Sequence, residues 1–285
     1  MHARRRDDVA AAMCLAGTRV YVATAVYGAD DAQWQRFRLV LRNVYALRSL
    51  AANVTLAIAV TDDPPPNVAA EPGWRLATTV RRRSRAERNL LMAHYREDVL
   101  DSLAAARHDY YLVVEADIDL RAWQVDGLCA EHALLGAFNT AYAPGLLRVE
   151  HGKSGVRSLV DLHIGAGCGA RRVVVRGRSY ATVRNPFAAH WFLPAGHLRW
   201  AVARAQRAGG TWLPRLLETA QPRDGGCSGC ARYSGLWLGH WFTKLVPLRS
   251  AAFPSVEHVL VRHMSDKYVF QKRVTCNVSD FAASV

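Results

Sequence analysis

The chain has 285 residues, 51% of them hydrophobic and 21% charged, which excludes a disordered protein and supplies one sizeable core or two small ones. Its formal net charge of +13 would suit a polyanion, yet nearly all the excess is arginine, with only Lys153, Lys244, Lys267 and Lys272 present. A coding bias explains such an Arg- and Ala-rich chain as well as phosphate binding does. No stretch reaches the length of a membrane span, and no apolar run follows the charged start "MHARRRDD". The expectation is a soluble chain, or the soluble catalytic part of a longer tethered protein.

In chain order, "RVYVATAVYG" (19 to 28) reads as a strand rich in β-branched and aromatic residues. "DDAQWQRFRLVLRNVYALRSLA" then places apolar residues at 34, 37, 40, 41, 44 and 47 behind an acidic first turn, which is helical spacing. "VTLAIAVTDD" (54 to 63) is a second strand and "WRLATTV" (74 to 80) a third. "SRAERNLLMAHYREDVLDSLAAARH" predicts a long helix with Ser84 as its N-cap. The basic cluster "RRRSRAER" (81 to 88) has no interleaved aromatics, so it reads as the solvated start of that helix rather than a nucleic-acid patch. "DYYLVVE" (109 to 115) is an unbroken apolar strand, as in a sheet covered on both faces. This rhythm predicts an α/β fold, a Rossmann-like and mainly parallel sheet flanked by helices, with ligands beyond the carboxyl ends of the strands.

The second half is less regular. A helix from about 123 to 137 precedes "NTAYAPGLLRVE" (139 to 150), the Gly-rich "HIGAGCGA" (163 to 170), a strand "RRVVVRG" and a turn "RNPFAAHWFLP". The helix "AGHLRWAVARAQRAGG" ends on a glycine stop signal. No repeat or low-complexity linker divides the chain. The expectation is therefore one domain over 1–285, with 1–17 a disordered tail, 18–120 a nucleotide-binding half and 121–285 an acceptor-side half. "GAGCGA" formally matches a dinucleotide fingerprint, but a β-branched segment follows it where a helix is required. Six cysteines over this length do not make a disulfide framework. Cys227 and Cys230 form half a zinc site at best, so a local disulfide or two free thiols is expected there. Asn53 and Asn277 each open a glycosylation triplet.

The chemistry concentrates in "YYLVVEADIDL" (110 to 120). Glu115, Asp117 and Asp119 alternate with Ala116 and Ile118, so an extended backbone would turn all three carboxylates to one side. Like charges that close repel unless a cation sits among them. Mg²⁺ or Mn²⁺, held by one or two carboxylates, usually completes its shell with substrate phosphates. The competing reading makes the triplet the acidic start of a loop, capping the helix at 123 and pairing with Arg121.

An apolar strand followed by acidic-x-acidic, preceded by a basic helix bearing Arg-Asn, resembles the GT-A class of nucleotide-sugar glycosyltransferases. The matching register is Glu115-Ala116-Asp117, with Glu in place of the first Asp; Asp117-Ile118-Asp119 is the literal triplet one step later. The resemblance implies a Mn²⁺- or Mg²⁺-dependent enzyme that moves a sugar from a nucleoside diphosphate to a hydroxyl of a glycan, protein or lipid. It implies the Golgi lumen for a tethered enzyme and the cytoplasm for a complete chain. By the same resemblance Asp117 is the metal ligand, Glu115 its companion towards the ribose or the water shell, and Asp119 the alternative ligand. Thr24 and Tyr27 would pack against base and ribose, Asp62 would read the base, and Arg88 and Asn89 would lie near the donor. His263, ahead of His258, would be a late metal ligand, with Lys267 and Tyr268 reaching the diphosphate. Catalytic-base candidates are Glu218 and Asp224, with Asp161 behind them; "CARYSGLW", where the class usually places an acid, has none. Two other readings compete. A nucleotidyltransferase usually carries a Gly-rich, Lys-containing loop that "YGADDAQ" lacks, and in a non-catalytic basic binding protein the carboxylates would be salt-bridged decoration.

Overall fold

The computed structural model describes residues 13–28, 30–82, 91–136, 142–152, 155–160, 170–183, 190–207, 242–266 and 276–284. In its first half, β1 (Arg19–Val26), β2 (Asn53–Val60), β3 (Ala77–Arg82) and β4 (Tyr110–Val114) alternate with α1 (Asp31–Ala46), the short α2 (Pro66–Ala69) and α3 (Leu91–Ala104). "WRLATTV" thus divides: Trp74–Leu76 forms a single 3-10 turn before β3 begins. Ser84 lies outside the described residues. The chain continues with β5 (Ile118–Asp119), α4 (Ala122–Leu135), β6 (Tyr142–Pro144), β7 (Leu147–His151), β8 (Arg157–Leu159), β9 (Arg171–Val175) and β10 (Arg178–Val183). It ends with β11 (His190–Pro194), α5 (Ala195–Arg207), β12 (Thr243–Pro247), β13 (Leu260–His263), β14 (Cys276–Asn277) and α6 (Val278–Ser284).

The expected α/β architecture is present. The first sheet has the order β11-β4-β1-β2-β3, with β1 parallel to both β2 and β4, and β2 parallel to β3. Strand alternation explains why helices cover both faces. Val20, Val22 and Val26 of β1 pack with Trp34, Phe37, Val40, Leu41 and Val44 of α1 in one core. Tyr21, Ala23 and Ala25 face a second core with Val99 and Leu103 of α3 and Leu198 and Ala201 of α5. Burying one such Val or Leu contributes about 1.5–3 kcal/mol. The other sheets have the orders β6-β12-β10-β9 and β14-β8-β7-β13-β5.

Two expectations are corrected here. "HWFLP", read as part of a turn, is β11, and it closes the edge of the first sheet antiparallel to β4, from His190 opposite Val114 to Pro194 opposite Tyr110. Residues 13–17 are not a loose tail: Leu15 is fully buried, its N–H donates to Asp126 Oδ1 at 2.9 Å, and Cys14 is bridged to Cys129 of α4. A bridge over 115 residues stabilises by about 3–5 kcal/mol in the chain-entropy description. Cys276 is also disulfide-bonded, while Cys227 and Cys230 lie outside the described residues. Among the described residues no helix is long and apolar enough to cross a membrane.

His132 of α4 ties that helix to the sheet, its Nε2 donating to the Phe192 carbonyl of β11 at 2.9 Å, while its ring lies 5.2 Å from that of His197 in α5. Burial, and then the neighbouring His197, push its pKa down to about 3, against a smaller upward pull from the Phe192 bond. The imidazole is therefore neutral when folded and takes a proton on unfolding below its ordinary value. Its contribution is present above about pH 6.5 and is lost as acidification approaches 3. In urea melts from pH 7 to pH 4 the midpoint should fall, and His132→Gln, which keeps a donor for Phe192 but cannot titrate, should reduce that slope.

Candidate functional site

The strand order sets where a ligand can sit. From β1 the chain steps to β2 and β3 on one side, then returns to place β4 on the other side of β1. Strand order therefore reverses between β1 and β4, and in open parallel sheets the crevice beyond that reversal is the binding position. Tyr27 and Gly28 follow β1 there, Thr61 and Asp62 follow β2, and Glu115 follows β4.

Local contacts hold the ends of β1 and β2 together. The Thr61 hydroxyl meets the Tyr27 carbonyl and lies 2.6 Å from Asp62 Oδ2. Gly28 has φ +63, and a Cβ there would come within 2.7 Å of the Trp34 ring and 3.1 Å of the Asp62 Cβ. Only glycine lets the chain turn that tightly against both neighbours. Gly28→Ala should cost about 1–3 kcal/mol in a denaturant melt and displace Asp62 from the strand end.

The acidic triplet does not form one extended row. β4 stops at Val114, the chain turns with the Ile118 N–H donating to the Glu115 carbonyl at 3.2 Å, and β5 begins at Ile118. This corrects the expectation of three carboxylates on one side. Asp119 is engaged elsewhere: it accepts from Asn43 Nδ2 of α1 at 2.8 Å and from Arg121 at 2.7 Å. The competing reading, an acid paired with Arg121, thus describes Asp119 but not Asp117. Glu115 is half-buried at the strand end.

Asp117 faces a histidine. Its backbone carbonyl accepts from the Met264 N–H at 2.7 Å, while β5 pairs with β13 so that Ile118 lies opposite His263. That latch brings Asp117 Oδ2 to 3.1 Å from His263 Nε2. The imidazole is fully buried, whereas the Asp117 side chain keeps 17% exposure, so the carboxylate forms the open end of the pair. On its other side His263 Nδ1 meets the fully buried Glu150 carboxylate of β7. The Ser265 hydroxyl stands 3.1 Å from Nε2 and 3.4 Å from Nδ1. Burial pulls the His263 pKa down, but its bonds to Asp117 and Glu150 outweigh that and leave it raised.

Two ligands at right angles around an octahedral cation, with bonds of about 2.1 Å, stand about 3 Å apart. The separation of Asp117 Oδ2 and His263 Nε2, 3.1 Å, accommodates a divalent ion without rebuilding the backbone, and also serves as a hydrogen bond without one. Among the described residues no three His, Cys, Asp or Glu side chains form a ready-made cage. Two protein ligands with the remaining positions left to water and phosphate is the usual arrangement for Mg²⁺ and Mn²⁺.

The other candidates divide. Tyr27 and Asp62 stand at the strand ends. Thr24 does not reach them: it is fully buried, paired with Ile58 in the interior of the sheet. His258 sits in the 3-10 turn before β13, bonded to Ser255 and stacked edge-on to Trp123, five residues from His263. Arg88, Asn89, Asp161, Glu218, Asp224, Lys267 and Tyr268 lie outside the described residues. A small apolar cavity lined by Val40, Asn43, Leu112 and Val125 lies between α1 and β4, apart from Asp117. Sequence reading missed Glu150, Ser265 and Asn43; the signal for Glu150 was a charge two residues from Arg148 in an apolar strand.

No protein-family model matches the chain, and no curated protein does. Among solved structures, a 4-diphosphocytidyl-2C-methyl-D-erythritol synthase aligns over 73% of this chain and 96% of its own, at 18% identity and a TM-score of 0.34. A glycosyltransferase involved in glycosylation of the major capsid of PBCV-1 aligns over 89% and 98%, at 9% identity and a TM-score of 0.28. Likeness of that degree carries no argument about activity. The α/β class rests on the strand order itself.

Proposed function

We propose that this chain is a metal-dependent glycosyltransferase, taking a sugar from a nucleoside diphosphate donor and placing it on a hydroxyl of a glycan, protein or lipid. One observation carries the reading: an exposed-edged aspartate and a buried histidine meet, 3.1 Å apart, at the carboxyl end of a parallel sheet where strand order reverses. Mn²⁺ or Mg²⁺ bound there would neutralise charge on the departing diphosphate. Asp117 and His263 would hold the ion, and Glu115 would face the ribose or the water shell. Tyr27 and Asp62 would flank base and ribose.

Arg88, Asn89 and Lys267 remain proposed for the donor, and Glu218 or Asp224 for the acceptor proton. In that step the acceptor oxygen bonds to the anomeric carbon as the bond to the diphosphate oxygen breaks, and the acceptor proton passes to the carboxylate. A phosphate cradle at the start of α1, as a nucleotidyltransferase would use, is disfavoured because Asp30 already occupies that helix end, accepting from the Gln33 N–H at 2.7 Å. The Cys14–Cys129 bridge favours an oxidising compartment, in keeping with work in the secretory lumen.

A melting-temperature panel of nucleotide sugars with and without Mn²⁺ tests the binding half of the proposal. One donor class should raise the midpoint only with the metal, and chelator should reverse the gain. Asp117→Asn, which keeps an acceptor for His263, should cut sugar transfer by at least about 100-fold. Near-normal transfer in that variant sinks the assignment, and pyrophosphate release in place of transfer makes the protein a nucleotidyltransferase.

A further inference from the structure

The third sheet places a carboxylate behind His263 that no part of the metal reading requires. β7 and β13 run parallel, pairing Leu260 with Leu147, Val261 with Arg148 and Arg262 with Val149. The same register carried one residue further sets His263 beside Glu150. Neighbours in a parallel pair share a face, so Arg148, Glu150, Val261 and His263 all point the same way. Glu150 and His263 are both fully buried. On the far side Glu150 pairs across β8 with Ser158, itself buried. Arg148, also buried, donates to the Val160 carbonyl at 3.3 Å.

We infer that Glu150 is a positioning residue for the metal site: it takes the hydrogen bond of His263 Nδ1, fixes the plane of the ring, and leaves Nε2 as the nitrogen aimed at Asp117 and the cation. The inference rests on the metal reading above and deepens it. A metal-bound imidazole usually gives its other N–H to a carboxylate, which fixes the ring and raises its basicity, and loss of such a partner weakens metal affinity about 10–100-fold. The geometry supplies each part. Nδ1 meets Glu150, Nε2 lies 3.1 Å from Asp117 Oδ2, and the pairing of β13 with β5 and β7 sets the strands that carry these side chains. One carboxylate is sealed behind the ring, and the other keeps 17% exposure.

The test is a double-mutant cycle read by Mn²⁺ binding to the full chain, followed by the free-ion electron paramagnetic resonance signal. Glu150→Gln should raise the Mn²⁺ dissociation constant about 10–100-fold, and His263→Gln should raise it at least as much. The double variant should bind no more weakly than His263→Gln alone, because Glu150 acts only through the ring. Pulsed measurements should detect imidazole nitrogen coupled to Mn²⁺ in the unaltered protein, none in His263→Gln, and a broadened coupling in Glu150→Gln. If Glu150→Gln binds normally, or weakens binding equally in the His263→Gln background, the positioning role is overturned while the metal site stands. If the unaltered protein binds no Mn²⁺, the metal reading falls and takes this role with it. Should Glu150→Gln fail to fold, Glu150→Asp, which keeps the charge but draws the acceptor back by one methylene, carries the same expectation.

Discussion

A carboxylate with no exposure to water cannot be left unpaired, and the structure around Asp117 follows from how Glu150 is satisfied. Desolvating an isolated carboxylate costs far more than any one packing contact returns, so a buried Glu demands a hydrogen-bonded cation. His263 donates to it from Nδ1 on the next strand, and its Nε2 lies beside Asp117 on the other side of the ring. The turn between β4 and β5 exists to make that meeting possible. Were the backbone extended from Val114 to Asp119, Asp117 could not both face His263 and accept the Met264 N–H.

The two sheets are therefore joined by chemistry as well as by packing. The first sheet carries the end of β4 to the strand reversal, and the β14-β8-β7-β13-β5 sheet carries the imidazole that meets Asp117. β5, only two residues long, is the hinge between them. Asp119 anchors it through Asn43 of α1 and Arg121, while Asp117 faces His263. Three similar carboxylates thus receive separate duties from their surroundings: one at a strand end, one against a histidine, one as an anchor.

The first half was legible in the sequence because its signals are local. Apolar runs of strand length, helical spacing in α1 and acidic caps depend on residues close in the chain, and β1 to β4 fall within a few residues of where periodicity puts them. What failed was non-local. β11 looks like a turn because Asn185 and Pro186 precede it, and only its pairing with β4 makes "HWFLP" a strand. Thr24 looked like a strand-end residue, but its register against Ile58 puts it inside. The Cys14–Cys129 bridge joins residues whose separation gives no spacing signal. Glu150 had the pattern of an ordinary half-exposed strand, Leu147 and Val149 in, Arg148 and Glu150 out. It is buried only because a second layer covers what alternation alone would leave in water.

Several arginines are paired within the chain, which leaves the net charge of +13 unchanged. Arg38 and Arg42 grip the buried Glu71, Arg81 meets Asp98, Arg82 meets Asp63, Arg157 meets Glu257 and Arg262 meets Asp266. These guanidinium groups are committed to carboxylates within the chain. A polyanion would have to compete with those bonds, and exposed pairs of this kind add little stability but do hold side chains in place. A donor set of one carboxylate oxygen and one imidazole nitrogen would favour Mn²⁺ over Ca²⁺ and Mg²⁺, which strongly prefer oxygen and gain less from the nitrogen. The buried imidazole is thus what would turn a general acidic edge into a site with a preferred ion.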